Sequence, residues 1–251
     1  MVISFSSIKG GTGKTSICIH VANYCAAAGY RVLVIDFDVQ NSLSFYYLDE
    51  LSVTERKNLA LALNTKDLAG NIVPSNCFGI DILASSFSLI NLRTIGANTL
   101  RRMIAEAKPG YDFIFIDCAP TYDNLVQNAI GASDLIFTPV RLCQFDFKGA
   151  LFYRDQITQD TDRIGAWRII FNFYKPPRNK NSESLRMQYE SLFREAFDGV
   201  IVPIQIPETT LLQRSIDTRE KMSDAASKAG LFNSIQSLAA LIGANRVTGR
   251  Y

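Results

Sequence analysis

Short apolar runs alternate with longer stretches of helical period along this chain, and each is readable as an element. Val2 to Phe5 predicts a buried strand, and Ile17 to Ala28, apolar at helical spacing without Pro or Gly, predicts a helix. Arg31 to Asp36 follows the turn Ala28-Gly29-Tyr30 as a second buried strand. Gly79–Ala84, Phe113–Asp117, Leu135–Val140, Trp167–Asn172 and Gly199–Pro203 continue the strand series, and Ile206-Pro207-Glu208 reads as a loop. Between the strands, helices are predicted at Thr99–Ala107 (ended by Pro109-Gly110), Tyr122–Ile130, Gly149–Ile157, Ser182–Phe197 and Ala225–Ile242. Ser182–Phe197 has its apolar face on Leu185, Tyr189, Leu192, Phe193 and Ala196, and the last helix on Leu231, Ile235, Leu238 and Ile242. The pattern from Leu43 to Ala69 is broken and helical, with Leu59, Leu61 and Leu63 as a small apolar face. No repeat, low-complexity segment or linker divides the series. It predicts one doubly wound α/β domain over residues 1–251, with a mostly parallel sheet and helices on both faces.

The first strand-to-helix turn is Ile8-Lys9-Gly10-Gly11-Thr12-Gly13-Lys14-Thr15-Ser16. A strand, a glycine-rich turn and a helix opening on Lys-Thr-Ser form a P-loop for nucleotide phosphates. Backbone N–H groups of such a loop converge on an anion, and the helix dipole favours it. Lys14 is placed to reach the β- and γ-phosphates and the Thr15 hydroxyl to ligate Mg²⁺. A glycine-rich turn also serves as a plain tight connection, but Gly-Lys-Thr in this setting points to phosphate.

Composition narrows the picture without redirecting it. Of 251 residues, 47% are hydrophobic and 20% charged, which is a globular balance rather than a disordered one. A net charge of +2 demands neither nucleic acid nor an anionic membrane, so any such surface must be a local patch. Cys18, Cys25, Cys77, Cys118 and Cys143 are scattered, with no CxxC pair, which argues for small apolar fillers in a reducing cytosol. Cys118, beside Asp117, is open to a redox role. No apolar run approaches membrane-spanning length, and the start at a P-loop strand leaves no room for a signal peptide. His20, inside the first helix, is expected to be packed or hydrogen-bonded rather than catalytic.

Two more segments carry chemistry. The second strand runs into Asp36-Phe37-Asp38, carboxylates at the ligand-binding edge of an open α/β sheet, where they either serve a metal-bound nucleotide and its attacking water or are solvated turn residues. Phe113 to Ile116 runs into Asp117 as a Walker B strand does, placing a carboxylate near Mg²⁺.

With Lys9 ahead of Gly-Gly-Thr-Gly-Lys-Thr-Ser, the loop resembles the deviant Walker A motif of the ParA/MinD family of P-loop ATPases. The resemblance continues at Asp36-Phe-Asp-Val-Gln-Asn, at Asp117-Cys-Ala-Pro, and at Ile206-Pro207 with the stretch up to Met222, so it covers nearly the whole chain in matching order. It implies an ATP-sandwich homodimer in which Lys9 reaches the partner's phosphates while Lys14 serves its own. It also implies that Asp38 orients the hydrolytic water, that Thr15 and Asp117 hold Mg²⁺ with Asp36 nearby, and that Gly10, Gly11, Thr12, Gly13 and Ser16 line the phosphates. Asn172, Pro207 and Glu208 fall where adenine is read.

The start at the P-loop strand, without an upstream helix-turn-helix, resembles the short ParA proteins, as does Asp146-Phe147; Arg141 stands where many chromosomal members have glutamine. The resemblance implies a cytoplasmic, nucleoid-associated ATPase that partitions or positions a plasmid, chromosome or other cargo. It would bind DNA non-specifically and be stimulated by a ParB-like or other adaptor. Lys175, Arg178, Lys180, Arg186, Arg214, Arg219 and Lys221 are the candidate DNA contacts, set among acids such as Glu183, Asp217 and Glu220. A membrane-cycling MinD-like ATPase is the first alternative, disfavoured by the short, weakly apolar tail 243–251. A metabolic ligase or kinase on the same scaffold is the second.

Overall fold

The computed structural model describes residues 1–92, 95–96, 98–176, 184–219 and 230–245. Eight strands form one sheet: β1 (Val2–Phe5), β2 (Val32–Phe37), β3 (Val73–Pro74), β4 (Asp81–Leu83), β5 (Phe113–Cys118), β6 (Leu135–Val140), β7 (Trp167–Tyr174) and β8 (Ile201–Pro207). Their order is β3-β4-β2-β5-β1-β6-β7-β8, parallel throughout except for the antiparallel β3–β4 pair. The helices are α1 (Lys14–Ala27), α2 (Ser42–Tyr47), α3 (Leu59–Thr65), α4 (Thr99–Ala107), α5 (Asn124–Ala132), α6 (Gln144–Asp160), α7 (Leu185–Ala196), α8 (Leu211–Thr218) and α9 (Leu231–Leu241).

Strand side chains alternate between two cores, as a period of two requires. Ile3, Phe5, Val32, Val34, Phe113 and Phe115 pack with α1, α2, α8 and α9 on one face. Val2, Leu33, Ile35, Ile114 and Ile116 pack with α3 to α7 on the other. A sheet covered on both faces needs apolar residues at successive positions, which is why these strands read as continuous runs.

Several boundaries differ from the pattern reading, each for a physical reason. Helix α1 starts at Lys14 rather than Ile17, because the Gly13 carbonyl accepts from Ile17 N (3.0 Å) and closes the first turn around the polar Lys-Thr-Ser. Helix α6 starts at Gln144 rather than Gly149, with Asp146 in its first turn, where a carboxylate favours the helix dipole. Strand β8 runs past Pro203 to Pro207 and so takes in Ile206 and Pro207; as an edge strand it tolerates a residue without N–H. Helix α8, with Leu211, Leu212 and Ile216 on one face, and the two-residue strand β3 were not expected from the pattern. Of the face expected on α7, Phe193 is buried, whereas Leu185 and Leu192 are exposed; Leu61 of α3 is likewise exposed. Of the helix expected from Ala225, residues 225–229 lie outside the described residues, as do 182–183 of the segment expected from Ser182.

The scattered cysteines are free, and Cys18, Cys25 and Cys118 are buried. His20 is buried and packs against α8, its Nε2 donating to the Leu212 carbonyl at 3.2 Å and lying 3.2 Å from Ser215 Oγ. Among the described residues, no helix is long and apolar enough to cross a membrane.

Candidate nucleotide site at the sheet edge

The P-loop leaves the C-terminal end of β1, with β5 and β2 to one side and β6, β7 and β8 to the other. This is the position where an open α/β sheet collects ligands. Phe5 is in register with Asp117, and Asp117 with Asp36, so the carboxylates expected from separate segments lie side by side. Beneath the loop, Trp167 Nε1 donates to Thr138 Oγ1 (2.8 Å), which donates to the Ser6 carbonyl (2.8 Å). That chain ties β7, β6 and the root of the loop into one base.

Within the loop, Lys14 is 6% exposed and its ammonium donates to the Lys9 carbonyl (3.1 Å) and, at 3.5 Å, to Ser7 Oγ. Burial lowers its pKa, opposed by the nearby Asp117 and Asp38. Ser7 Oγ also lies 3.2 Å from Thr12 Oγ1, bracing the turn internally. Gly13 has φ +92, and a Cβ there would stand 2.2 Å from Asn172 Nδ2, so both conformation and space require glycine. Lys9 turns the other way. Its stem packs against Gly149 of α6, and its ammonium lies 5.8 Å from the ring of the exposed Phe145.

The two buried aspartates differ in what they hold. Asp36 Oδ2 accepts from Ser44 N (2.8 Å) and Ser44 Oγ (2.7 Å), and Oδ1 accepts from Asp38 N (3.0 Å). Burial pushes its pKa up to about 6, with these bonds pulling back. Asp117 Oδ2 accepts from Thr15 Oγ1 at 2.6 Å, while Oδ1 is buried with no hydrogen-bond partner among the described residues. Burial, and then the neighbouring Asp36, push Asp117 up to about 8. A buried carboxylate oxygen without a donor is rare. Here it sits beside a hydroxyl that gives its proton to the same carboxylate and keeps its lone pairs for a cation. Thr15 and Asp117 offer oxygen donors of the kind Mg²⁺ takes, so the residues fit that ion. Asp38 is half-buried on the loop that Asp36 anchors, and its Oδ1 accepts from Gln40 N (2.9 Å).

On the other side of β1 the surface opens. A cleft of about 440 Å³ is lined by Arg141, Leu142, Cys143, Phe145, Phe173, Arg186 and Glu208. Glu208 accepts from Lys175 (2.6 Å) and Arg186 (3.4 Å), and Pro207 ends β8 opposite Tyr174. Asn172, also expected at the base, is buried, with its Nδ2 donating to the Thr12 carbonyl at 2.7 Å. Arg141 forks onto the buried Asp146 through Nε (3.2 Å) and Nη2 (3.1 Å), and its own N–H donates there at 2.8 Å. Of the basic residues weighed for DNA, Lys175 and Arg186 are paired to Glu208, Arg219 to Asp49, and Arg214 is exposed; Arg178, Lys180 and Lys221 lie outside the described residues. Sequence reasoning missed Ser44, whose grip on Asp36 has no motif, and the Arg141–Asp146 clamp, visible only as an opposite-charge pair five apart.

Comparison with known proteins decides the family. One described as an AAA domain matches residues 1–164. The chain belongs to it, as a P-loop ATPase of the ParA/MinD type. It is 26% identical to the chromosome-partitioning ATPase Soj of Treponema pallidum over 207 residues, covering 79% of this chain and 81% of Soj. The fold is that of Cyanothece McdA, solved as a variant in complex with ATP (TM-score 0.81, 16% identity, 99% of this chain and 98% of McdA). It is also that of pNOB8 ParA bound to nonspecific DNA (TM-score 0.72, 20% identity, 98% and 99%). The sheet of this ParA/MinD-type chain keeps the P-loop and its Walker B neighbour adjacent, as that fold requires.

Proposed function

We propose that residues 1–251 act as one ATPase unit that binds ATP and Mg²⁺, pairs with a second copy around the nucleotide and holds DNA without sequence preference. Partner-stimulated hydrolysis then partitions or positions a cargo. The observation that carries this reading is the 2.6 Å Thr15–Asp117 bond with the second Asp117 oxygen unpartnered among the described residues, beside the loop that buries Lys14.

The residue roles in this reading combine the loop geometry with the resemblance to the ParA/MinD family. Backbone N–H groups from Gly10 to Ser16 cradle the phosphates, and Lys14 trades the Lys9 carbonyl for phosphate oxygens. Thr15 and Asp117 hold Mg²⁺, with Asp36 adding charge nearby while it fixes Asp38. Mg²⁺ held there would supply positive charge against that of the bound phosphates. Asp38 orients the attacking water. Lys9, already turned away from its own loop, reaches the phosphates of the second copy, where a second cation offsets charge building in the transition state. Pro207, Glu208 and Asn172 flank the base. Lys175, Arg186, Arg214 and Arg219 are the described candidates for DNA. The DNA-bound pNOB8 ParA supports a nucleoid-associated, cytoplasmic protein, and a ParB-like or other adaptor is the expected stimulator.

Lys9→Ala tests the paired site. The variant should bind ATP like wild type yet fail to dimerise and lose adaptor-stimulated turnover. Normal stimulated turnover would sink the trans role. Co-sedimentation with DNA and with anionic vesicles separates this reading from a membrane-cycling one, which requires capture by vesicles alone.

A further inference from the structure

Asn172 ends the regular part of β7, two strands away from β1, yet its side chain reaches the P-loop. We propose that Asn172 is a positioning residue for the phosphates: it braces the Thr12–Gly13 peptide, and so sets the direction of a loop N–H.

Three observations converge on this. The Asn172 amide is buried and donates to the Thr12 carbonyl at 2.7 Å, so the carbonyl is anchored toward β7. In a trans peptide the C=O and the following N–H point in opposite directions. Holding Thr12 C=O on Asn172 therefore turns the Gly13 N–H away from β7. Second, Gly13 is the residue against which Asn172 packs, close enough that a Cβ would stand 2.2 Å from Nδ2. Third, the strand is distorted where it must be to aim this side chain. The β7–β8 register shifts between Phe171 and Tyr174, and Phe173 adopts φ +53, a left-handed conformation that a bulky residue rarely takes. The Phe173 N–H donates back to Asn172 Oδ1 at 2.8 Å, which locks the amide with its NH₂ toward the loop. An asparagine used for the base alone would need none of this.

The proposal rests on the reading that the loop binds nucleotide phosphates, and its test separates the two. Asn172→Ala and Asn172→Asp are made in the full chain, with melting curves to confirm folding. Affinities for Mg²⁺–ATP and Mg²⁺–tripolyphosphate, which has phosphates but no base, are then measured by calorimetry. Tripolyphosphate binding should weaken by about 5- to 30-fold for a lost buried hydrogen bond, and ATP binding by at least that factor. The isosteric Asp, unable to donate to Thr12, should be at least as damaging as Ala, and it carries the test if the Ala variant does not fold. Unchanged tripolyphosphate affinity with weakened ATP would overturn the brace and leave Asn172 a base contact. A wild type that binds neither probe would overturn the phosphate reading, and the brace with it.

Discussion

The sheet edge has two unlike sides. On the β5–β2 side, Lys14, Asp36 and Asp117 are buried, and their hydrogen bonds are made within the chain, save for one oxygen of Asp117. On the β6–β8 side the charged groups are paired near the surface: the Glu208 side chain is 37% exposed and its partner Lys175 58%. Burial explains the contrast. A buried polar group left without a partner is penalised by the lost hydration, so the interior side satisfies its charged groups within the chain. The open oxygen of Asp117, next to Thr15 at the strand end, fits a ligand. Exposed ion pairs contribute little and exchange partners readily, so the outer side is free to be rearranged by a base or a second chain. Asp146 is the exception there, a buried carboxylate that Arg141 clamps to fix the start of α6.

Substitutions can break or sharpen this contrast. The largest effect is expected at Lys14. Lys14→Ala should weaken ATP binding by about 100-fold or more, because a charge-assisted phosphate contact at a buried site is lost; wild-type affinity in a binding titration would remove the P-loop role. Next come the neighbouring aspartates, which should split. Asp36→Asn sets an NH₂ against the N–H or hydroxyl donors it now accepts from, and should destabilise by about 2–4 kcal/mol in denaturant unfolding. Asp117→Asn should stay within about 1 kcal/mol of wild type in stability, because Asp117 already lacks one partner, yet lose ATP turnover by about 10-fold or more. Equal effects on stability would erase the distinction between them.

His20 asks how firmly α1, which carries Lys14 and Thr15, is held. Burial lowers its pKa from 6.5 to about 4, so the folded protein binds fewer protons than the unfolded chain between those values. Stability from this group is full above pH 6.5 and falls as pH drops toward 4, by on the order of 2–3 kcal/mol. The check is the difference between wild type and His20→Phe across that window; parallel pH profiles would contradict the buried neutral imidazole. The smallest effect belongs to the outer side. Glu208→Gln should change stability by less than about 0.5 kcal/mol, and a large loss would mean that the cleft is as rigid as the interior.

The same contrast governs what was legible in the sequence. The interior side announces itself. Apolar runs ending in Asp36 and Asp117 read as buried strands because a sheet covered on both faces needs apolar residues at successive positions. The register sets the two carboxylates side by side. Lys14 and Thr15 are fixed by the turn that precedes them. What stayed hidden depends on distant or irregular contacts: Ser44 on Asp36, Asn172 bent onto Thr12 by a strand distortion, and Arg141 on Asp146. The start of α6 was missed because Phe145 and Phe147 alternate with charged neighbours and give no helical period. Strand β8 was cut short at Pro203, a residue without N–H that this edge strand accommodates.

The central claim is that the interior side is half of a site completed by a second copy of the chain. Asp38→Ala, which should bind ATP without hydrolysing it, tests this most directly. Its mass is measured in solution with Mg²⁺ and either ATP or ADP, with and without a short DNA duplex. The account predicts two chains per particle with ATP and one with ADP, and DNA bound by the ATP form alone, weakening steeply as salt rises. A single chain in ATP, or DNA binding equal in ATP and ADP, would contradict it.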